Sequence, residues 1–230
     1  MKKFDEYTIF ARFFPSIITI LPLFILWYFL RQNIIFLNFG KYIMGLTFLG
    51  GITISIVFIY VYSQVIRLIS KLFERKYFIN RDGFPTTYLM LYSNKVYSDI
   101  YKDKYRHKVK KYFDFNLLDK NEEFSNIEES KKRLNEVTKQ IILLIKDGQL
   151  VKLHNIWYGF FRNLIGGLPI AIFICVINII IGVFINLDLI IFSSILLILY
   201  SIVIGFHKKI LILNAEAYAN QLISEFLSKE

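Results

Sequence analysis

The chain reads as an all-α polytopic membrane protein, with four transmembrane helices in two hairpins and a helical cytoplasmic domain between them. Three observations predict this. Four apolar stretches, 13–30, 42–61, 164–185 and 189–206, have the length of about 17–25 residues that a helix needs to span a bilayer. Of the 28 Lys and Arg residues, all but Arg31 and Lys41 fall in the N-terminal tail, the central insert and the C-terminal tail. Of the 230 residues, 55% are hydrophobic and 17% aromatic, more than a soluble domain of this size uses. A very apolar soluble helical protein is the competing reading. Four separate runs without a charge argue against it, and each run should be a helix because lipid offers its backbone no hydrogen-bond partner.

Orientation follows from the cations beside the span ends. The two short loops carry Arg31, Lys41 and Asp188, so both termini and the insert are predicted to be cytoplasmic. The expected divisions are an N-terminal membrane hairpin over 1–62, a cytoplasmic helical domain over 63–163, a C-terminal hairpin over 164–206 and a cytoplasmic helix over 207–230. Arg31-Gln32-Asn33 follows the first span where a cleaved signal would need small residues, so that span is an uncleaved anchor. The single cysteine, Cys175, lies inside the third span and allows no internal disulfide.

The elements follow in order. Pro15 and Pro22 in the first span and Pro169 in the third kink helices that their neighbours can tolerate. Thr47, Gly51 and Ser55 recur every four residues in the second span, and Gly167, Ala171 and Cys175 do so in the third. Small residues at this spacing let helices approach closely, within one chain or between subunits of a homo-oligomer. Past Val61, helical spacing continues through Val65, Ile66, Leu68, Ile69, Leu72 and Phe73. The fourth span likewise runs into Leu211, Ala215, Tyr218, Leu222 and Phe226. Both are expected to leave the membrane as unbroken stalks.

Within the insert, Asn80-Arg81-Asp82-Gly83 marks a turn, and Pro85 with Thr86 and Thr87 suits a helix start with a Thr cap. Ser98 heads a helix over 98–113. Ser125 is expected to cap a helix over 126–146, where Ser125-Asn126-Ile127-Glu128 matches a capping box. Ile127, Leu134 and Ile141 stand at heptad spacing there, with Val137 and Leu144 on the alternate seam.

The chief electrostatic feature is Lys102, Lys104, Arg106, Lys108, Lys110 and Lys111, with His107 among them and Asp103 against. Tyr101, Tyr105, Val109 and Tyr112 are expected on the opposite face. Such a helix suits the anionic headgroups of a bilayer. It equally suits nucleic acid or a nucleotide phosphate, with Tyr rings for stacking, and an ordinary solvated face accounts for it as well. His154, Tyr158, Gly159, Arg162 and Asn163 lie where the chain enters the third span. Interfacial Trp157 and Tyr158 and a rim Arg explain most of that segment, but not why Gly159 stands among bulky aromatics.

Signatures of enzymes are missing: no phosphate-cradling Gly loop, no His-Glu-x-x-His, no Gly-x-Ser-x-Gly and no Cys pair. No catalytic residue, metal or cofactor is expected. No Asp, Glu, Lys or Arg occupies the middle of a span, which argues against an ion-coupled carrier but not against an oligomeric, hydrophobically gated pore. Asn178, the strongest dipole at depth, reads as interhelical glue.

Three segments carry a resemblance. They are 5–15, containing Ala11-Arg12-Phe13-Phe14-Pro15; Gly83-Phe84-Pro85-Thr86-Thr87, with His107 downstream; and Tyr158-Gly159-Phe160-Phe161-Arg162-Asn163-Leu164. They resemble a family of bacterial four-span membrane proteins to which no activity is assigned. The resemblance implies a multi-pass protein of the bacterial inner membrane and gives Pro85, Thr86, Thr87, Tyr158, Gly159, Arg162 and Asn163 as motif residues without a role; His154, just before the third segment, is likewise a residue of unknown role. The architecture is also similar to that of membrane accessory proteins of anti-phage defence systems. The expected function is therefore an oligomeric inner-membrane protein whose basic domain senses a ligand or partner and alters permeability. The alternative is a membrane-tethered module that recruits nucleic acid or a soluble partner protein.

Overall fold

The computed structural model describes residues 6–30, 48–79, 83–145 and 148–229, with 48–55 traced by backbone alone. The elements are α1 (Glu6–Leu30), α2 (Phe48–Ile79), α3 (Pro85–Tyr88), α4 (Asp99–Phe113), α5 (Lys120–Ser125), α6 (Ile127–Leu144), α7 (Gln149–Ile185), α8 (Leu187–Gly205) and α9 (His207–Ser228). No strand occurs among the described residues. Windows within α1, α2, α7 and α8 are long and apolar enough to cross a membrane.

Two compact units form, one from 1–73 with 159–210 and one from 74–158 with 211–230. The boundaries between them fall at Phe73, Tyr158 and Ile210. α2 runs unbroken to Ile79, as the spacing past Val61 predicts. The fourth span does not continue: α8 ends at Gly205, turns at Phe206 and restarts as α9. The third span does, since α7 is a single helix from Gln149 to Ile185. Only Gly159 and the Gly166-Gly167 pair weaken it before Pro169, and neighbouring groups occupy the space beside each of these glycines.

In the first unit Leu168, Ala171, Cys175 and Tyr200 form a buried cluster, packed by Ile18, Ile172 and Leu196. Phe10, Phe14, Ile17, Leu21, Phe24 and Tyr28 of α1 face outward, the inverse of a water-soluble surface and the expected face toward lipid. After an α-helical start at Glu6–Thr8, α1 passes through a π-helical turn at Ile9–Phe13, closed by the Phe14 N–H donating to the Ile9 carbonyl. α7 and α8 form a tight hairpin at Asn186, whose side chain caps α8 by accepting from the Asp188 N–H at 2.7 Å.

In the second unit the core joins Tyr105 and Val109 of α4, Leu134, Val137 and Ile141 of α6, and Ala219, Leu222, Ile223 and Phe226 of α9. The stripe predicted on the terminal helix is thus the packed one, with Tyr218 at its edge. Ser98 caps α4, accepting from the Tyr101 N–H at 3.3 Å. Ser125 caps nothing: Asn126 takes that place on α6, accepting from the Glu129 N–H. The reciprocal capping box lies six residues earlier, between Asp119 and Glu122 at the head of α5. α3 has Pro85 in its first turn and no side-chain cap, so neither Thr86 nor Thr87 caps it.

Candidate functional site

The predicted cationic helix is α4, and its charges divide into two groups. Lys102 has no exposed surface and donates to the Asn94 carbonyl; burial pulls its pKa down, partly offset by Asp99. Arg106 is 9% exposed, and all three of its side-chain nitrogens donate. Its Nε donates to the Leu118 carbonyl at 2.9 Å, Nη1 to the Met90 carbonyl at 3.1 Å and Nη2 to Glu123 Oε2 at 2.9 Å. The guanidinium lies 3.9 Å from the centre of the Tyr92 ring, a cation–π geometry.

Glu123 is 1% exposed, and a lone buried carboxylate would be costly. Here it also accepts from the Tyr92 N–H at 2.5 Å and the Ser130 hydroxyl at 2.8 Å. Tyr92 in turn donates its phenol to Asp103. Burial, then the Asp103 bond, pushes the Tyr92 phenol up to about 12. Lys108 donates to the Leu227 and Lys229 carbonyls, with its ammonium near the Tyr112 and Phe226 rings. Three of the seven predicted anion-binding residues therefore hold the domain together. Lys104, His107, Lys110 and Lys111 remain exposed.

The expected tyrosine face is also revised. Tyr105 is buried, whereas Tyr101 and Tyr112 are half-buried, and the Tyr101 ring stacks on Tyr97 at 4.6 Å. The stripe turned inward is Lys102, Tyr105, Arg106 and Val109, the i, i+3, i+4, i+7 pattern of a helix face. Beside it opens a cleft of about 550 Å³ lined by Tyr92, Asn94, Lys95, Tyr97, Lys120 and Phe124, with Ser93 and Asp99. Lys120 pairs with Asp99 at 2.7 Å on its rim, and that contact holds the Asp99 carboxyl below its ordinary range.

The motif residues at the head of the third span have structural roles. Tyr158 donates its phenol to buried Glu74, and its ring stacks on Tyr218. Gly159 has no room for a side chain: a Cβ there would lie 2.8 Å from the Ala11 Cβ and 2.9 Å from the Tyr7 hydroxyl. Asn163 donates through Nδ2 to the Ala11 carbonyl at 2.6 Å and accepts from the Ser70 hydroxyl at 2.9 Å. Arg162 is half-buried.

A Cβ on Gly167 would lie 2.7 Å from the Thr19 side chain and Ala171 is fully buried, so this small-residue stripe packs within the chain. Thr47 lies outside the described residues, as do the side chains of Gly51 and Ser55. Pro85 and Thr87 are buried and Thr86 half-buried. His154 is half-buried and His107 exposed. Among the described residues no group of His, Cys, Asp and Glu is arranged to hold a metal ion.

Three side chains show how the bundle tolerates its prolines. A proline removes the N–H that would bond the carbonyl four residues earlier. Pro15 leaves the Ala11 carbonyl, which Asn163 takes; Pro22 leaves the Ile18 carbonyl, which the Tyr200 hydroxyl takes at 2.6 Å. Asn178 Nδ2 donates to the Pro22 carbonyl itself at 2.8 Å. Sequence reasoning missed Tyr92, Glu123, Ser130 and Tyr200, because each acts on a partner distant in the chain.

Fold and site together define an all-α chain with four helices of membrane-crossing length and composition, joined to a helical unit built around a buried Arg–Glu pair. No protein-family model, curated protein or solved structure matches it.

Proposed function

We propose that the chain is a membrane-anchored binding module of the bacterial inner membrane, with both termini and the helical unit on the cytoplasmic side. Its first unit serves as the anchor. Its second recruits a polyanionic partner, single-stranded nucleic acid being the chemistry that best suits the surface. One observation carries this reading: Lys104, His107, Lys110 and Lys111 stay exposed within two turns of α4, while Lys102 and Arg106 brace that helix from inside. A braced helix presents its cations without first having to order them.

The test uses the whole chain in nanodiscs of zwitterionic lipid and a fluorescent single strand of about 20 nucleotides, over a series of salt concentrations. Neutralising up to four phosphates gives an expected log–log salt slope near −3, from about −0.7 per contact on a single strand. Lys104→Gln with Lys110→Gln and Lys111→Gln should flatten the slope toward −1. No binding at low salt would end this reading.

A second reading, an oligomer that alters permeability, has one observation in its favour. Asn178 Oδ1 and Ser193 Oγ are buried in the spans without a hydrogen-bond partner among the described residues, and such groups are costly in lipid unless another polar group or water reaches them. Ion flux across proteoliposomes, together with the subunit number in detergent, separates the two. Flux from an oligomer would favour the permeability reading.

A further inference from the structure

The apolar side of α2 past Val61 points the wrong way for a soluble stalk. The residues turned inward are Ser63, Ile66 and Ser70, and Ser70 sits so close to α7 that a Cβ on Gly166 would lie 2.8 Å from its backbone nitrogen. Val65, Leu68 and Leu72 face outward, the last two 65% and 70% exposed. Together with Phe58 and Val61 they form one stripe at spacings of three and four, continuous with the outward face of the span. The charges along the stripe are of one sign. Between Tyr62 and Phe73 there are Arg67 and Lys71 and no acid, and Lys71 is exposed.

We propose that this face is an acidic-phospholipid surface. The hydrocarbon layer extends along α2 to Leu72, and Arg67 and Lys71 meet lipid phosphates there. The inference rests on the membrane-anchor reading and deepens it. A second copy is the rival occupant, because the stripe has the three-four spacing of a coiled coil. Charge decides against it. In a parallel pair Lys71 of one copy would face Lys76 of the other, a like-charge contact at the flanking positions that normally carry opposite signs. An anionic headgroup layer complements the same residues, and long cationic side chains can reach it from an apolar stripe.

Single spin labels at Phe58→Cys, Leu68→Cys and Leu72→Cys, each in a Cys175→Ala background, test this in vesicles of phosphatidylcholine and phosphatidylglycerol. All three positions are outward, so folding is spared. Every label should be accessible to oxygen and shielded from a water-soluble nickel chelate, with Leu72→Cys the shallowest. In addition, Arg67→Gln and Lys71→Gln should each lower the preference for phosphatidylglycerol over phosphatidylcholine about fivefold, the factor for one cation at the surface. Water-exposed labels at 68 and 72 with a lipid-exposed label at 58 would overturn the inference and leave the anchor intact. A water-exposed label at 58 would remove the anchor as well. Dipolar coupling between copies at 68 or 72 would give the stripe to self-association and overturn the proposal.

Discussion

Asn163 donates to the carbonyl of Ala11, 152 positions earlier, at 2.6 Å. That carbonyl is available because Pro15 has no N–H to give it. Replacing Asn163 by Leu preserves bulk but orphans the carbonyl; the Ser70 hydroxyl keeps a second acceptor in the Arg67 carbonyl at 3.0 Å. The expected loss is about 1–2 kcal/mol, read from thermal unfolding in detergent. An unchanged Tm would show that the bond is dispensable.

Tyr200 and Pro22 should be coupled. Tyr200→Phe alone is expected to cost about 0.6 kcal/mol, typical of a hydrogen bond between membrane helices. Pro22→Ala restores the N–H that can reach Ile18, so Tyr200→Phe should become nearly neutral in that background. Additive effects in the double-mutant cycle would refute the coupling.

The Arg106–Glu123 pair should respond asymmetrically. Arg106→Met leaves Glu123 buried without its cation and should destabilise by about 3–5 kcal/mol. Arg106→Met with Glu123→Met removes both charges and should cost less. Near-UV circular dichroism during denaturant unfolding of the whole chain reads the difference.

At Gly159 the geometry leaves little slack. Tyr7 can swing its hydroxyl away, but the Ala11 Cβ at 2.8 Å is fixed to a helix. Gly159→Ala should therefore cost about 1–3 kcal/mol through overpacking. A melting curve that matches the parent would exclude tight approach at this level.

Tyr92 offers a pH signature. Its phenol is raised to about 12 from an ordinary 10, first by burial and then by its bond to Asp103. A raised pKa means that the protonated form is favoured by folding. Its stabilising contribution is full below pH 10 and is lost as pH rises toward 12. In alkaline titration at 295 nm, the difference between the parent and Tyr92→Phe should have its midpoint near the higher value.

Four helices long and apolar enough to cross a membrane were legible because that property belongs to one continuous segment. The second such stretch, however, runs over Ile56–Ile79, and 42–47 of the expected 42–61 lies outside the described residues. Leu211, Ala215, Leu222 and Phe226 on α9 were legible for the same reason. The end of the fourth helix at Phe206 was not, since no proline marks it. The cationic helix misled in an instructive way. Lys102, Tyr105, Arg106 and Val109 have the spacing of a buried face, but two cations on it hide the pattern. Glu123, on another helix and 17 positions away, makes Arg106 an interior residue together with the Met90 and Leu118 carbonyls. The role of Asn163 was equally hidden, because it depends on a backbone group freed by Pro15 in a distant segment.

The π-helical turn at Ile9–Phe13 has a further consequence for chain length. A turn closed from residue 14 to residue 9 takes up one amino acid more than an α-helical turn. Deleting one residue there would let α1 wind as a plain α-helix while the turn before it keeps its phase, because the widened turn already absorbs the extra residue. Tyr7 would stay on the Gly159 side of the helix, and Ser16 and all that follows would keep their places. The first helix thus carries one residue of slack, and a single-residue deletion series through 9–13 would read it directly.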